Sequence, residues 1–198
     1  MRDLKMKNNQ IKIEKESILS DNWYLLKKID FQFKNKKGEW EKVSREVYDR
    51  GNGAAILLYN PETKNIVLTR QFRMPTYLNG NESGMMIEVP AGIIENEDPE
   101  ISIIRETDEE TGYKISEVQK VFEIYPSPGA VTEKLHLYIG KYNANMKAHE
   151  GGGLDSEHED IEVFETSFTD VESMVKNGEI KDAKTIMLIQ YARLHGII

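Results

Sequence analysis

Around Arg105 the chain reads Arg-Glu-Thr-Asp-Glu-Glu-Thr-Gly-Tyr, which sets four carboxylates, Glu106, Asp108, Glu109 and Glu110, within five residues. At about 100° per residue, Glu106 and Glu110 stand one turn apart on one stripe of a helix, with Glu109 beside them. Like charges at that spacing destabilise a helix by roughly 0.2–0.5 kcal/mol per pair unless a cation lies between them. A hard divalent metal, which prefers oxygen ligands, suits such a set. A solvated acidic helix face would produce the same string, so the elements before it must decide between the two.

Residues 88–95, Glu-Val-Pro-Ala-Gly-Ile-Ile-Glu, read as an apolar strand that passes through a proline and a glycine and then turns acidic. Asp98-Pro99 follows, a strong helix start: the Asp side chain accepts an orphan backbone N–H, and Pro at the first helical position has none to lose. Gly112 supplies the matching stop, because glycine past the last turn can enter the left-handed conformation that closes a helix. The chain thus predicts strand, glycine loop and a short helix bearing the acids. Asp108 is expected to project toward Ile101 and Ile104 as the packed face.

This combination resembles the signature of the Nudix hydrolase family: Gly, five residues, Glu, seven residues, Arg-Glu, an aliphatic, any residue, Glu-Glu, any residue, Gly, an aliphatic. Arg105-Glu106 and Glu109-Glu110-Thr111-Gly112 match in register. The loop departs from it by one residue. Counting five residues from Gly92 reaches Asp98, with only six before Arg105; Glu97 restores the seven-residue spacing but places Ala91 at the glycine position.

Composition bounds the alternatives. A chain of 198 residues with 39% hydrophobic content is long enough to bury a core. No apolar run approaches the ~20 residues that span a bilayer, and the charged start does not read as a signal sequence, so a cytoplasmic enzyme with no membrane partner is expected. The absence of cysteine excludes disulfides, thiolate metal sites and a cysteine nucleophile. A formal charge of −8 argues against nonspecific nucleic-acid binding, which needs many cationic contacts to phosphate. An anionic ligand would then need metal ions or placed cations such as Arg70, Arg73 and Lys184. The four histidines, His136, His149, His158 and His195, show no zinc-ligand spacing.

Alternation over residues 22–33 predicts a long amphipathic strand, and 39–48 its hairpin partner after the Asn35-Lys36-Lys37-Gly38 turn. Residues 54–59 and 66–72 form a second hairpin about Asn60-Pro61, with a buried first strand. Strands are expected over 117–125 and 135–142, then a mobile acidic loop opened by the glycines at 151–153. Two helices close the chain, one capped by Thr169 with Glu172 and ended by Gly178, the other begun by Asp182. The order indicates an α+β fold with a mixed β-sheet between helices. Its organisation is an N-terminal β-hairpin arm over residues 1–48 and a hydrolase domain over 49–198.

Three further strings, Arg45-Glu46-Val47-Tyr48-Asp49-Arg50-Gly51-Asn52-Gly53, Asn79-Gly80-Asn81-Glu82-Ser83-Gly84 and the segment from Tyr125 to Glu133, resemble the branch of the Nudix family that cleaves GDP-mannose. That resemblance implies metal-dependent hydrolysis of GDP-mannose to GMP and mannose 1-phosphate, in a homodimer whose N-terminal hairpin crosses to the partner. It implies Mg2+, with Mn2+ as an alternative, held by the Ala91 carbonyl and by Glu106, Glu110 and Glu159. Glu159, Glu109 and Arg105 are the expected catalytic residues. Substrate contacts fall on Trp23, Arg45, Glu46, Arg73, Gly92, Glu133, His158 and Lys184. Glu157 rivals Glu159 as the loop base, and Trp23 is either core or a stacking surface for the base. The same chemistry on ADP-ribose, or a noncatalytic Nudix-fold nucleotide sensor, are the alternatives.

Overall fold

The computed structural model describes residues 10–154 and 159–197. Backbone contacts divide the chain into two units, Met1–Gly51 with Ser127–Glu133, and Asn52–Pro126 with Lys134–Ile198. The first is a three-stranded antiparallel sheet in the order β1 (Ile11–Asp21), β2 (Leu25–Lys34), β3 (Trp40–Asp49). The expected hairpin is therefore extended by an edge strand that sequence reading left unassigned. Its strand signal is broken where the register against β2 shifts, between Ile13 and Lys15 and again between Ile18 and Ser20. Residues 127–133 join this unit through Tyr48, whose N–H donates to the Ala130 carbonyl.

Within the first unit no described hydrophobic side chain is buried. Ile13, Ile18, Leu19, Trp23 and Tyr48 are all exposed. A three-stranded sheet with no buried apolar face lacks the main source of independent stability.

The second unit is built on a mixed sheet. Its main path runs β10 (Glu162–Ser167), β5 (Asn65–Phe72), β4 (Gly53–Tyr59), β9 (Leu135–Lys141), β8 (Gln119–Ile124). Strands β4 and β9 are parallel, and the other pairs are antiparallel. Side chains alternate between two cores: Ala55, Leu57 and Tyr59 of β4 face one, Ala54, Ile56 and Leu58 the other. Phe168 and Val171 of α3 (Phe168–Asn177), with Leu188, Ile189 and Ala192 of α4 (Ala183–Leu194), fill the first core. Ile103 of α2 (Pro99–Thr111) enters the second. Both faces of β4 are covered, which is why it reads as a continuous apolar run.

The single strand expected over 88–95 is two. Pro90 has no N–H for a ladder, so β6 (Met85–Glu88) ends before it and pairs with β5, while β7 (Ala91–Ile93) pairs with β4. A short helix, α1 (Met74–Leu78), fills the loop between β5 and β6. The cap of α3 also differs from expectation: Ser167, not Thr169, accepts from the Asp170 N–H, and the Asp170 carboxylate receives the Ser167 hydroxyl in return. None of the helices described is long and apolar enough to cross a membrane.

Helix α2 begins and ends as its sequence predicts, with the Asp98 carboxylate accepting from the Glu100 N–H and Gly112 left-handed at φ 74°. Its packed face is corrected in part. Ile104 is half-buried against the second core, but Ile101 is exposed, and the buried residues are Ser102, Ile103, Thr107, Glu110 and Thr111. Threonine can lie on that face because each hydroxyl is satisfied within the helix, Thr107 on the Ile103 carbonyl and Thr111 on the Thr107 carbonyl. Asp108 instead lies off the packed face and meets His149 Nε2 at 3.0 Å. Since the Asp98 cap opens the helix that carries Glu106, Glu109 and Glu110, Asp98→Ala should cost about 1 kcal/mol. A thermal melt should show a Tm lowered by roughly 2–4 °C.

Candidate active site

Helix α2 lies along β7, and the meeting of the two sets the geometry of the acids. The Ala91 N–H donates to Glu110 Oε2 at 3.1 Å, so the most buried carboxylate of the helix is tied to the strand corner. Glu110 is 2% exposed. Burial pushes its pKa well above the ordinary carboxylate value, reinforced by Glu159 and Glu106 and opposed by the Ala91 N–H and Arg73. Burial likewise pushes Glu106 up to about 7, with Glu109 and Glu159 adding repulsion against the pull of Arg105. Three carboxylates thus lie in one another's field, in a site whose cations do not fully compensate them. Such a set of oxygen donors fits a hard divalent cation.

Glycine at position 92 resolves the ambiguity in the loop. A Cβ on Gly92 would overlap the Glu106 carboxyl group, so close approach, not backbone conformation, demands glycine there. Glu97 accepts from Arg105 Nε at 3.3 Å and Nη2 at 2.9 Å, the partner expected seven residues before the Arg-Glu pair. The missing residue therefore lies between Gly92 and Glu97, where Asn96 takes a left-handed φ of 50°. Arg105 also reaches Glu109 at 2.6 Å and Glu106 at 2.9 Å, so one guanidinium orients three carboxylates.

The glycines at 151–153 dock on the carbonyl end of α2. Gly152 and Gly153 donate N–H groups to the carbonyls of Glu110 and Glu109, at 2.8 and 3.2 Å. A Cβ on Gly151 would overlap the Glu110 carbonyl, and one on Gly112 the His149 carbonyl. Beyond the glycines, Glu159 Oε2 accepts from the Leu154 N–H at 3.1 Å. In this arrangement Glu106 is drawn to Arg105, Glu110 to Ala91 and Glu159 to Leu154. Among the described residues no three acids or histidines already converge as a closed ligand set. His158 and Glu157 lie outside the described residues.

Arg73 and Lys184 share one partner, which sequence reading did not single out. Arg73 stands at the N-cap position of α1 and donates through Nε at 2.8 Å and Nη2 at 3.2 Å to Glu88, the last residue of β6. Lys184, in the first turn of α4, donates to the same carboxylate and lies 3.0 Å from Asp182. Burial alone would raise the Glu88 pKa, yet Lys184 and Arg73 together hold it at about 2. Position 88 carries no sequence signal beyond being an acid inside an apolar strand. Arg70, by contrast, is paired on the surface with Glu162 across β5 and β10, at 2.6 and 2.8 Å.

Four expected contacts lie in the first unit. Trp23 sits in the bend between β1 and β2 and is 80% exposed, which removes the reading of it as core. Arg45 and Glu46 are exposed on β3, and Arg45 Nη1 donates to the Ser44 carbonyl at 2.8 Å. Glu133 is buried, 3.6 Å from Arg50 Nε.

Residues 49–189 match the NUDIX domain, and residues 10–48 match the GDP-mannose pyrophosphatase NudK N-terminal domain. The chain belongs to the Nudix family, whose hydrolases generally need a divalent metal. It is 50% identical over 189 residues to the GDP-mannose pyrophosphatases of Shigella dysenteriae serotype 1 (strain Sd197) and Escherichia coli O157:H7, covering 96% of this chain and 98% of each relative. With the protein of the same name from Escherichia coli O139:H28 (strain E24377A / ETEC) it shares 52% identity over 182 residues, 92% of this chain and 94% of that one.

Two outcomes follow from this geometry. Gly92→Ala should displace the Glu106 carboxylate and lower turnover on the order of a hundredfold. The melting curve should stay near that of the parent protein, because a flexible side chain can yield; unchanged turnover would show that Glu106 does not need its place beside Gly92. Glu106 binds its proton more tightly folded (about 7) than unfolded (4.5), so in metal-free protein its contribution to stability falls as pH rises across that window. Metal binding opposes protonation. Mg2+ should therefore raise Tm more at pH 8 than at pH 5, by a few degrees, given that about 1 kcal/mol moves Tm roughly 2–4 °C at this size. Equal stabilisation at both pH values in thermal scans against a chelated control would contradict it.

Proposed function

We propose that this enzyme hydrolyses the diphosphate bond of GDP-mannose, releasing GMP and mannose 1-phosphate, with Mg2+ bound at the α2 corner and Mn2+ able to replace it. The observation that carries the reaction type is the placing of buried Glu110 on the Ala91 N–H and of half-buried Glu106 against Gly92, one helical turn apart on α2. The names of relatives that share half their residues with this chain along nearly its full length support the substrate.

Splitting a diphosphate requires an attacking oxygen to approach an already anionic phosphorus. Glu106, Glu110, Glu159 and the Ala91 carbonyl would hold the metal, which when bound supplies charge neutralisation and a more acidic water. Arg105 keeps Glu109 and Glu106 oriented. Glu159, on the segment that follows the docked glycines, accepts the proton of the attacking water, with Glu109 as the nearby alternative. Arg73 and Lys184 contribute fixed positive charge toward phosphate oxygens, Arg73 with a planar fork suited to them. Gly92 leaves the room in which substrate and Glu106 meet, and His158 is assigned to a phosphate.

The base and sugar are assigned to Trp23, Arg45, Glu46 and Glu133, with Arg45 and Glu46 coming from the partner of a homodimer that exchanges its N-terminal sheet. The exposed apolar side chains of that sheet, and the lack of any buried ones among its described residues, support a partner chain covering it. We take residues 1–48 as the exchanging arm and 49–198 as the hydrolase domain. Work on a nucleotide sugar in the cytoplasm belongs to this reading, and nucleic acid does not.

Glu106→Gln should lower kcat by a hundredfold to a thousandfold, by analogy with loss of other charge-stabilising groups, with the fold kept. Near-normal turnover in that variant would rule out the site. In a panel of GDP-mannose, GDP-glucose, ADP-ribose and diadenosine polyphosphates, scored by mononucleotide release, GDP-mannose should give the highest kcat/KM. Equal rates across the panel would remove the substrate assignment.

A further inference from the structure

Glu88 is a buried carboxylate with no place in the chemistry above. It is 4% exposed, and it stands two residues before Pro90 and three before Ala91. Its two oxygens take both the Arg73 fork and the Lys184 ammonium. Lys184 continues to Asp182, the N-cap of α4, whose other oxygen accepts from the Thr185 N–H at 2.9 Å and its hydroxyl at 2.6 Å. The Thr185 hydroxyl oxygen in turn accepts from the Val89 N–H at 2.8 Å. The ring closes from Glu88 through α4 and back to the neighbouring residue of the same strand.

We propose that Glu88 is the positioning residue for the substrate's diphosphate, holding Arg73 and Lys184 as a pair at fixed separation beside the metal corner. This rests on the reading of those two cations as phosphate contacts. Two like charges from different parts of the fold, the start of α1 and the start of α4, repel and have long side chains. A single buried carboxylate between them removes both problems: it opposes the repulsion and freezes the rotamers before substrate arrives. The Arg73 pair with Glu88 uses Nε and Nη2, so Nη1 stands outside it. An ammonium has three N–H donors, and among the described residues that of Lys184 meets two carboxylates, Glu88 and Asp182. Each cation thus keeps donor capacity beyond the partners that orient it.

The test is steady-state kinetics of the full chain with GDP-mannose and Mg2+. It compares Glu88→Gln, Arg73→Ala, Lys184→Ala, Arg73→Ala combined with Lys184→Ala, and Glu88→Gln added to that combination. Glutamine keeps the size of the side chain and removes the charge. Glu88→Gln should lower kcat/KM by roughly 10- to 100-fold, mainly through KM, the scale typical of groups that orient site residues. Added to the variant lacking both cations it should change kcat/KM by less than about twofold, because a residue that acts through a partner has no effect once the partner is gone. A full, additive loss in that background, or parent-like kinetics of Glu88→Gln alone, overturns the proposal. If Glu88→Gln does not fold, Glu88→Asp serves in its place: it keeps the charge but withdraws it by one methylene, and should raise KM with the same dependence on the two cations. An additive effect of that variant also overturns the proposal. Parent-like kinetics of Arg73→Ala and Lys184→Ala would instead remove the phosphate-contact reading, and the proposal with it. No turnover of GDP-mannose by the parent enzyme would remove the substrate assignment.

Discussion

The arrangement of this fold around α2 depends on keeping negative charge out of water. Glu110 is almost fully enclosed and lies in the field of Glu106 and Glu159, while its direct hydrogen bond comes from one backbone N–H. An uncompensated buried carboxylate is costly, so the pair is tolerated protonated or with a bound cation. The surrounding residues fit that constraint. Gly92 removes the atom that would collide with Glu106, and the threonines on the packed face of α2 satisfy their hydroxyls on the helix itself. Arg105 gathers Glu97, Glu106 and Glu109 on the wetter side.

The same helix also organises the loop beyond it. The last carbonyls of a helix have no partners within it, and here two of them accept from Gly152 and Gly153. Gly151 N–H donates to His149 Nδ1, which leaves the proton of a neutral ring on Nε2, facing Asp108. Glycine serves close packing at Gly112 and Gly151, where a Cβ would enter a carbonyl. The triple glycine is thus the dock that carries the chain from the end of α2 toward Glu159.

Much of this was legible beforehand. Asp98-Pro99 and Gly112 bounded α2 because caps are local chemistry, and the i,i+4 spacing of Arg105 and Glu109 placed their ion pair. What escaped was nonlocal. Strand β1 carries its signal across two register shifts, and β10 follows the glycine-rich acidic stretch. Ile104 does pack, but Ile101 was misplaced on the buried face of α2 because isoleucine outranks threonine in hydrophobicity, whereas the sheet decides which stripe it meets. Ser167 won the cap of α3 over Thr169 because the strand before it ends there.

Sequence alone outlined the helix of acids, its spacing, its caps and the glycine loop, because these are short-range features, and their resemblance to the Nudix signature implied the chemistry class. The family match and the relatives' names agree with it. Tertiary structure decided which acid is desolvated, which glycine makes room for a carboxylate, and that Glu97 completes the loop with one residue fewer before it. It also joined Arg73 and Lys184, from the starts of α1 and α4, around the carboxylate of Glu88 at the end of β6. Burial and charge pairing arise only when distant segments meet, so no local pattern at position 88 could announce them.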